Sequence, residues 1–337
     1  MKTLMIGSTG SLGLALTKFL LQNKEELILL VRSKNTDLAI KKIEKKFGGD
    51  FLEQYKNQLV IVQGDLKNLE QLNKYKNEID KIINSSGDIF LGDGEYDRLY
   101  RTNCLDLQNF LRYLKKFENL KYIMHTSTYY ISDIFYGFPF VNHYEQTKII
   151  GENIVYDYGI KNNLNFSIIR PSIIIGNSKT GKISNCSGYC TYLEILNRIL
   201  RKNTDKIFLV PGKKDMPVNI IFIDWLVEQI YIIFKNEYTG SFNLANQNPP
   251  KFGWLLENSL ELLHLQQEKI LFLDDIEDKK TKYSNLLIKL GLDVFKEYTS
   301  RPEVLILNPK IKKHPQIQRW HLKKQIEFYK KFYKTTL

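Results

Sequence analysis

Three glycines at intervals of three, set between a short apolar run and an amphipathic helix, constrain this chain more than any other feature. Thr3-Leu4-Met5-Ile6 leads directly into Gly7-Ser8-Thr9-Gly10-Ser11-Leu12-Gly13. Leu12, Ala15, Leu16, Phe19 and Leu20 then keep the i, i+3, i+4, i+7, i+8 spacing of one buried helix face. Strand, glycine turn and helix in this order open a βαβ unit. The helix N-terminus of such a unit offers free N–H groups and the positive end of its dipole to a phosphate. Gly7 permits the tight turn, Gly10 lets the backbone approach a pyrophosphate, and Gly13 lets helix and strand pack closely. Thr9, Ser11 and Leu12 complete the expected cradle. The spacing is G-x-x-G-x-x-G rather than G-x-G-x-x-G, and glycines that serve only a tight turn are the competing reading.

The first half continues the rhythm. Apolar runs at Leu27–Val31, Leu59–Val62, Lys81–Ile83, Tyr122–Met124 and Phe166–Ile169 read as buried strands separated by helical stretches. Such alternation requires crossovers of one hand and a parallel sheet covered on both faces, so the expected fold is a doubly wound α/β sheet. After Pro171 the rhythm breaks. A Ser/Gly/Asn/Thr-rich loop from Gly176 to Gly188 precedes a helical segment to about Lys202. Short strands are expected at Lys206–Val210, Asn219–Ile223 and Ser241–Leu244, with a helix at Trp225–Phe234. The remainder reads as mostly helical, ending in a segment with Leu322, Ile326, Tyr329 and Tyr333 on one stripe. The expected division is a nucleotide-binding domain over 1–175 that also takes in about 206–245. A smaller, mostly helical substrate lobe is expected over 176–205 and 246–337.

Residues at the ends of the expected strands suggest chemistry. The second strand ends at Val31-Arg32-Ser33-Lys34, where sites for NAD usually carry an acid that binds the ribose 2′-hydroxyl. No carboxylate follows until Asp37, and Arg32 offers a planar cationic fork suited to a 2′-phosphate, with Lys34 beside it. The expected cofactor is therefore NADP(H). Asp65 and Leu66 after the third strand are placed near the adenine, and Ser85 and Ser86 in Asn84-Ser85-Ser86-Gly87 form a floor of small residues. Tyr144-Glu145-Gln146-Thr147-Lys148 sets Tyr144 and Lys148 on one helix face. A phenol near ~10 is a poor acid–base group, and a neighbouring ammonium together with a cationic nicotinamide is expected to draw it down. Thr126-Ser127-Thr128 follows the fifth strand, at the sheet edge where such folds bind ligands, and Thr128 is placed to bond a reacting carbonyl.

Together these residues resemble an extended short-chain dehydrogenase/reductase, over nearly the whole chain. Gly7/Gly10/Gly13, Leu30-Val31-Arg32, Ser127-Thr128, Tyr144 to Lys148 and Arg170-Pro171-Ser172-Ile173 carry the resemblance. The loop Gly176-Asn177-Ser178-Lys179-Thr180-Gly181 resembles that of the thioester reductase and fatty-acyl-CoA reductase branch, although Asn177 stands where that branch usually has an acid. The resemblance implies that Thr128 and Tyr144 bond the substrate and that Lys148 holds the nicotinamide ribose while tuning Tyr144. It implies a proton-relay water on Asn103, and Pro171, Ser172 and Ile173 lining the nicotinamide carboxamide. The implied reaction is NADPH-dependent reduction of a thioester, aldehyde or ketone. A nucleotide-sugar epimerase or dehydratase with bound NAD, and a non-catalytic cofactor-binding regulator, are the alternatives.

Charge bears on partners. The net charge is +12, and from Pro309 to Leu337 nine Lys/Arg stand against a single acid, Glu327. This tail reads either as a dock for an acidic acyl-carrier protein, coenzyme A or a membrane surface, or as a solvated helix face. Nucleic acid is not an expected partner, since no recognition motif accompanies the charge. No apolar run approaches the roughly 20 residues of a membrane span, and no secretory pattern opens the chain, so a cytoplasmic setting is expected. Cys104, Cys186 and Cys190 are read as plain thiols. The five scattered histidines give no ligand spacing, and no metal is expected. His143, beside Tyr144, is expected to point into solvent. Both a monomer and a dimer accord with the sequence.

Overall fold

Seven strands run parallel in one sheet: β1 (Lys2–Ile6), β2 (Leu27–Val31), β3 (Leu59–Gln63), β4 (Ile79–Asn84), β5 (Tyr122–Thr126), β6 (Asn165–Pro171) and β10 (Gly240–Leu244). Their order across the sheet is β10-β6-β5-β4-β1-β2-β3. The computed structural model describes residues 1–92, 94–136, 140–185, 188–200, 207–265, 269–273, 295, 298–299 and 308–334. All five residues of β2 are buried, as expected of a central strand covered on both faces. Helices supply the cover. Leu107, Phe110 and Leu111 of α5 (Asp106–Tyr113) and Val155 of α6 (His143–Lys161) join Leu4, Ile6, Ile28, Leu30, Ile82 and Ile123 in one core cluster. Phe19 of α1 (Ser11–Gln22) meets Tyr231 of α8 (Ile223–Lys235) edge to face, with ring centres 5.4 Å apart.

The chain order reverses between β1 and β4, so the loops after these strands part and leave a crevice at their carboxyl ends. The elements expected of the first half stand where the apolar runs place them. Three further helices complete it: α2 (Thr36–Phe47), α3 (Gly49–Gln54) and α4 (Tyr96–Tyr100). A π-helical turn, Arg101–Leu105, joins α4 to α5.

The chain divides into two compact units, residues 1–171 with 226–244, and residues 172–225 with 245–337. The second unit holds β7 (Ile173–Ile175) paired in parallel with β9 (Ile220–Phe222), and β8 (Ile207–Pro211) paired in parallel with β11 (Lys269–Leu273). Its helices include α7 (Tyr189–Leu200), α9 (Phe252–Leu262) and α10 (Arg319–Lys334). β11 falls in a stretch read from the sequence as helical. The run Lys269-Ile270-Leu271-Phe272-Leu273 is short and apolar, and at that length periodicity cannot tell a strand from a buried helix segment. Leu322, Ile326 and Tyr329 of α10 are buried, as their stripe requires, and Tyr333 lies outside the described side chains. Cys190 is disulfide-bonded, which corrects the reading of it as a plain thiol, whereas Cys104 is free and buried. Among the described residues no group of three or more His, Cys, Asp or Glu is placed to hold a metal ion, and no helix is long and apolar enough to cross a membrane.

Candidate active site

The glycine loop closes over the crevice. Gly7 has φ +87°, a left-handed conformation that suits glycine, and a Cβ there would lie 2.5 Å from the Ser85 backbone. Ser85 N donates to Ile6 O at 2.9 Å, so the ends of β1 and β4 are tied together. A Cβ on Gly13 would fall 2.0 Å from Gly7 O. Gly10 differs. A Cβ there would meet only Gly7 O, at an ordinary 3.5 Å, so nothing within the protein requires glycine at this position. Gly10 is the N-cap of α1, and it gives this helix start no side-chain cap. Thr9 and Ser11 are half-buried at its rim, while the Leu12 side chain turns into the core.

At the end of β2, Arg32 and Lys34 are exposed. Lys42 of α2, which the sequence reading did not single out, donates to Arg32 O at 3.2 Å. Burial first, then the neighbouring Arg32 and Lys46, push its ammonium below the ordinary lysine value. Ala39, Ile43 and Phe47 are the buried face of α2, so the phase of that helix holds Lys42 and Lys46 beside its apolar stripe. That phase was the available signal. Asp65 stands just beyond β3, where its Oδ1 accepts from Lys67 N (2.9 Å) and Asn68 N (3.0 Å) and closes its own turn. Leu66 is buried in the core cluster.

Ser127 and Thr128 are buried just beyond β5, with Ser127 N bonded to Ile169 O at 2.7 Å. The N-terminus of α6 is fixed by a reciprocal cap: Asn142 Oδ1 accepts from Glu145 N at 2.9 Å, and Glu145 Oε2 accepts from Val141 N at 3.4 Å. This cap brings Tyr144 to Thr128, with which its hydroxyl is hydrogen-bonded. Burial pushes the phenol well above the ordinary tyrosine value; the Thr128 bond opposes this and the charge of Glu145 adds to it. One helix turn on, Lys148 Nζ donates to Thr126 O at 2.7 Å. Burial brings this ammonium down to about 8, against the opposing influence of Glu152 and Cys104. In the chain without cofactor the ammonium is committed to a backbone carbonyl, and Lys148 is not among the groups that move the phenol.

Asn103 sits in the π-helical turn, 5% exposed, and belongs to this cluster. Its Oδ1 accepts from Asp88 N at 2.8 Å, and its Nδ2 donates to Asp88 O and to Thr147 Oγ1, both at 3.1 Å. Gly87 lies between them: a Cβ there would be 3.4 Å from Asn103 Oδ1 and 3.6 Å from Lys148 Nζ. Ser86 donates through both its N (3.0 Å) and its Oγ (2.5 Å) to Asn84 Oδ1, and Asn84 Nδ2 lies 3.3 Å from His125 Nδ1. Burial, together with the Lys148 charge, holds His125 neutral. Glu152 and Arg170 form a buried two-pronged pair at 2.9 and 2.5 Å. Sequence reasoning gave His125 and Glu152 no part, because isolated histidines and acids carry no spacing signal. His143 packs on Tyr96, ring centres 5.2 Å apart, rather than pointing freely into solvent. Pro171 ends β6. Ser172 and Ile173 open the second unit, where the Ser172 hydroxyl is buried without a partner and Ile173 N donates to Asn219 O at 3.3 Å.

The residues of the first unit fit a dinucleotide: an uncapped helix N-terminus beside a glycine that the protein itself does not require, cations at the end of β2, and paired hydroxyls with a buried ammonium at the end of β5. Comparisons with known proteins agree. The family model described as male sterility protein, an NAD-binding family, matches residues 5–137 and 136–230. No curated protein matches. Among solved structures, the terminal R domain of the myxalamid PKS-NRPS pathway superposes with a TM-score of 0.74 at 18% identity, over 100% of this chain and 91% of that one. A thiolation-reductase di-domain from an archaeal non-ribosomal peptide synthetase gives 0.74 at 16% identity, over 99% and 76%. UDP-glucuronic acid 4-epimerase from Bacillus cereus gives 0.63 at 15% identity, over 99% and 100%. At such identities the structural likeness speaks to the fold. The family match covers about two thirds of the chain, and with it the chain belongs to the NAD-binding male sterility protein family.

Proposed function

We propose that this chain is an NADPH-dependent reductase of carbonyl groups, with an acyl thioester as its principal substrate. The observation that carries the reading is the convergence of Thr128, Tyr144 and Lys148 at the carboxyl end of β5, beside a glycine cradle at the end of β1. Gly7, Gly10, Gly13 and the N-terminus of α1 hold the pyrophosphate; Ser85 and Ser86 lie beneath it. Arg32, Lys34 and Lys42 hold the 2′-phosphate, and Lys148 the nicotinamide ribose. When bound, the cofactor supplies a hydride to the carbonyl carbon.

The chain's own residues do the rest. The hydroxyls of Thr128 and Tyr144 donate to the carbonyl oxygen as negative charge develops there, a form of stabilisation typically worth a few kcal/mol per donor. Tyr144 enters the reaction protonated, since burial holds its phenol well above the ordinary value, and so serves as the acid that an aldehyde or ketone requires. From a thioester, the hemithioacetal collapses to aldehyde and thiol. Asn103 keeps the π-turn and the Asp88 loop against Thr147 and orders the water that returns the proton.

An NADPH-oxidation screen over acyl-CoAs, carrier thioesters, aldehydes and ketones, with products identified by mass spectrometry, tests the reading. Turnover restricted to sugar nucleotides, with NAD retained through purification, would replace it with an epimerase. On cofactor choice, Arg32→Ala should weaken NADPH binding roughly ten- to a hundredfold and leave NADH nearly unchanged, as loss of a charge-assisted fork implies. Equal affinity of the parent for the two cofactors would refute the assignment of Arg32.

A further inference from the structure

We propose that the outward face of α10 is the docking surface for an acidic carrier protein, one that presents its acyl group to this chain as a thioester; the proposal rests on the thioester reading above. The basic excess of the C-terminal segment is sorted by the fold. α10 turns Leu322, Ile326 and Tyr329 inward. Its other side carries Trp320, Lys323, Glu327 and Lys331, and exposed Lys312 and Lys313 precede it. Trp320 is 47% exposed yet held in place: its indole N–H donates to Gln318 Oε1 at 2.9 Å and its ring stacks on His321 at 3.6 Å. A rigid, water-exposed indole among cations has the make-up of a protein interface, in which tryptophan is a preferred anchor.

The same facts select the class of partner. A helix that lies on an anionic bilayer needs an apolar face to insert. In α10 that face is already buried in its own lobe, so what it offers outward is charge and one aromatic plane. The complementary surface is an acidic protein, drawn in by opposite charge.

α10 also fixes a loop. Gln325 Oε1 accepts from Gly176 N at 2.8 Å, and Gln325 Nε2 donates to Asn177 O at 3.2 Å. Gly181 approaches Lys324 so closely that a Cβ would lie 2.2 Å from its carbonyl oxygen. The Gly176–Gly181 loop therefore rides on the turn that presents Lys323 and Lys324, and it leads back through β7 to Ser172 and Pro171. A carrier held on α10 is held on the element that fixes this loop.

The test measures binding of an acidic acyl-carrier protein bearing an octanoyl thioester, alongside turnover of octanoyl-N-acetylcysteamine, a small neutral thioester. The variant Lys312→Glu/Lys313→Glu/Lys323→Glu/Lys331→Glu should bind the carrier at least roughly tenfold more weakly at low salt, with the parent's affinity falling steeply as salt rises. Trp320→Ala should weaken it as well. Both variants should keep the parent's circular dichroism and its kcat/KM on the small thioester. Unchanged carrier binding in the charge-reversed variant would overturn the proposal. So would a parent that binds phosphatidylserine vesicles and not the carrier. A parent that binds the carrier through α10 but turns over neither thioester would sink the reductase reading and leave the docking surface standing.

Discussion

Lys148 carries an ammonium buried to 5% exposure, held by the carbonyl of Thr126 and surrounded by groups that stay neutral. Burial holds His125 neutral and raises the Cys104 thiol to about 11, while Tyr144 keeps its proton. Glu152, the carboxylate whose charge acts on Lys148, is bound by Arg170. The folded value of Lys148, about 8, lies below its ordinary 10.5. Between these values the unfolded chain keeps a proton that the folded chain has released, so folding stability rises with pH across that window. Relative to Lys148→Met, the parent should gain about 1 kcal/mol per pH unit there, measured by urea unfolding at a series of pH values. A difference that stays flat or falls would show that the ammonium is not desolvated. At this scale the sequence was informative where spacing expresses a helix face, as for Tyr144 and Lys148. It was silent on Lys42, His125 and Glu152, whose positions depend on which elements pack together.

The elements that place these side chains are set by close approaches that glycine permits. Gly13 and Gly10 both belong to the loop legible in the sequence, but the structure gives them different work. Gly13→Ala would drive a Cβ to 2.0 Å from Gly7 O and should destabilise the fold by roughly 1–3 kcal/mol or more. Gly10→Ala should unfold like the parent, since only Gly7 O lies near, at an ordinary 3.5 Å, and should lose at least roughly tenfold in NADPH affinity if the proposed cradle holds the pyrophosphate. Thermal unfolding with cofactor titration of both variants checks this, and parent-like cofactor binding by Gly10→Ala would remove the phosphate cradle from the account. Gly151 has a similar part. A Cβ there would lie 2.9 Å from Asn103 O, so α6 can approach the π-turn only because residue 151 is glycine. The π-turn itself was not legible, because one residue added to a helix leaves its hydrophobic pattern almost unchanged. The parallel sheet was legible, since continuous apolar runs such as Leu27–Val31 have no other use at that length. In the second unit β8 and β9 were legible as short strands, whereas their partners β11 and β7 were not: three to five apolar residues fit a strand or a buried helix turn equally well.

Across the whole chain, chemistry and charge separate. The seven-stranded sheet bears the cradle, the hydroxyls and the buried lysine, while the basic excess gathers in the C-terminal segment of the other unit. Fold likeness to both reductase domains and an epimerase leaves the direction of hydride movement to be read from the product. The most direct measurement follows the hydride itself. NADPH deuterated at the reactive nicotinamide position is mixed with the parent, or with Tyr144→Phe, and octanoyl-N-acetylcysteamine. The account predicts that the parent forms octanal with deuterium on its carbonyl carbon, and that Tyr144→Phe binds the cofactor nearly as well but turns over roughly a hundredfold or more slowly. Unlabelled product, or equal turnover by the two proteins, would contradict it.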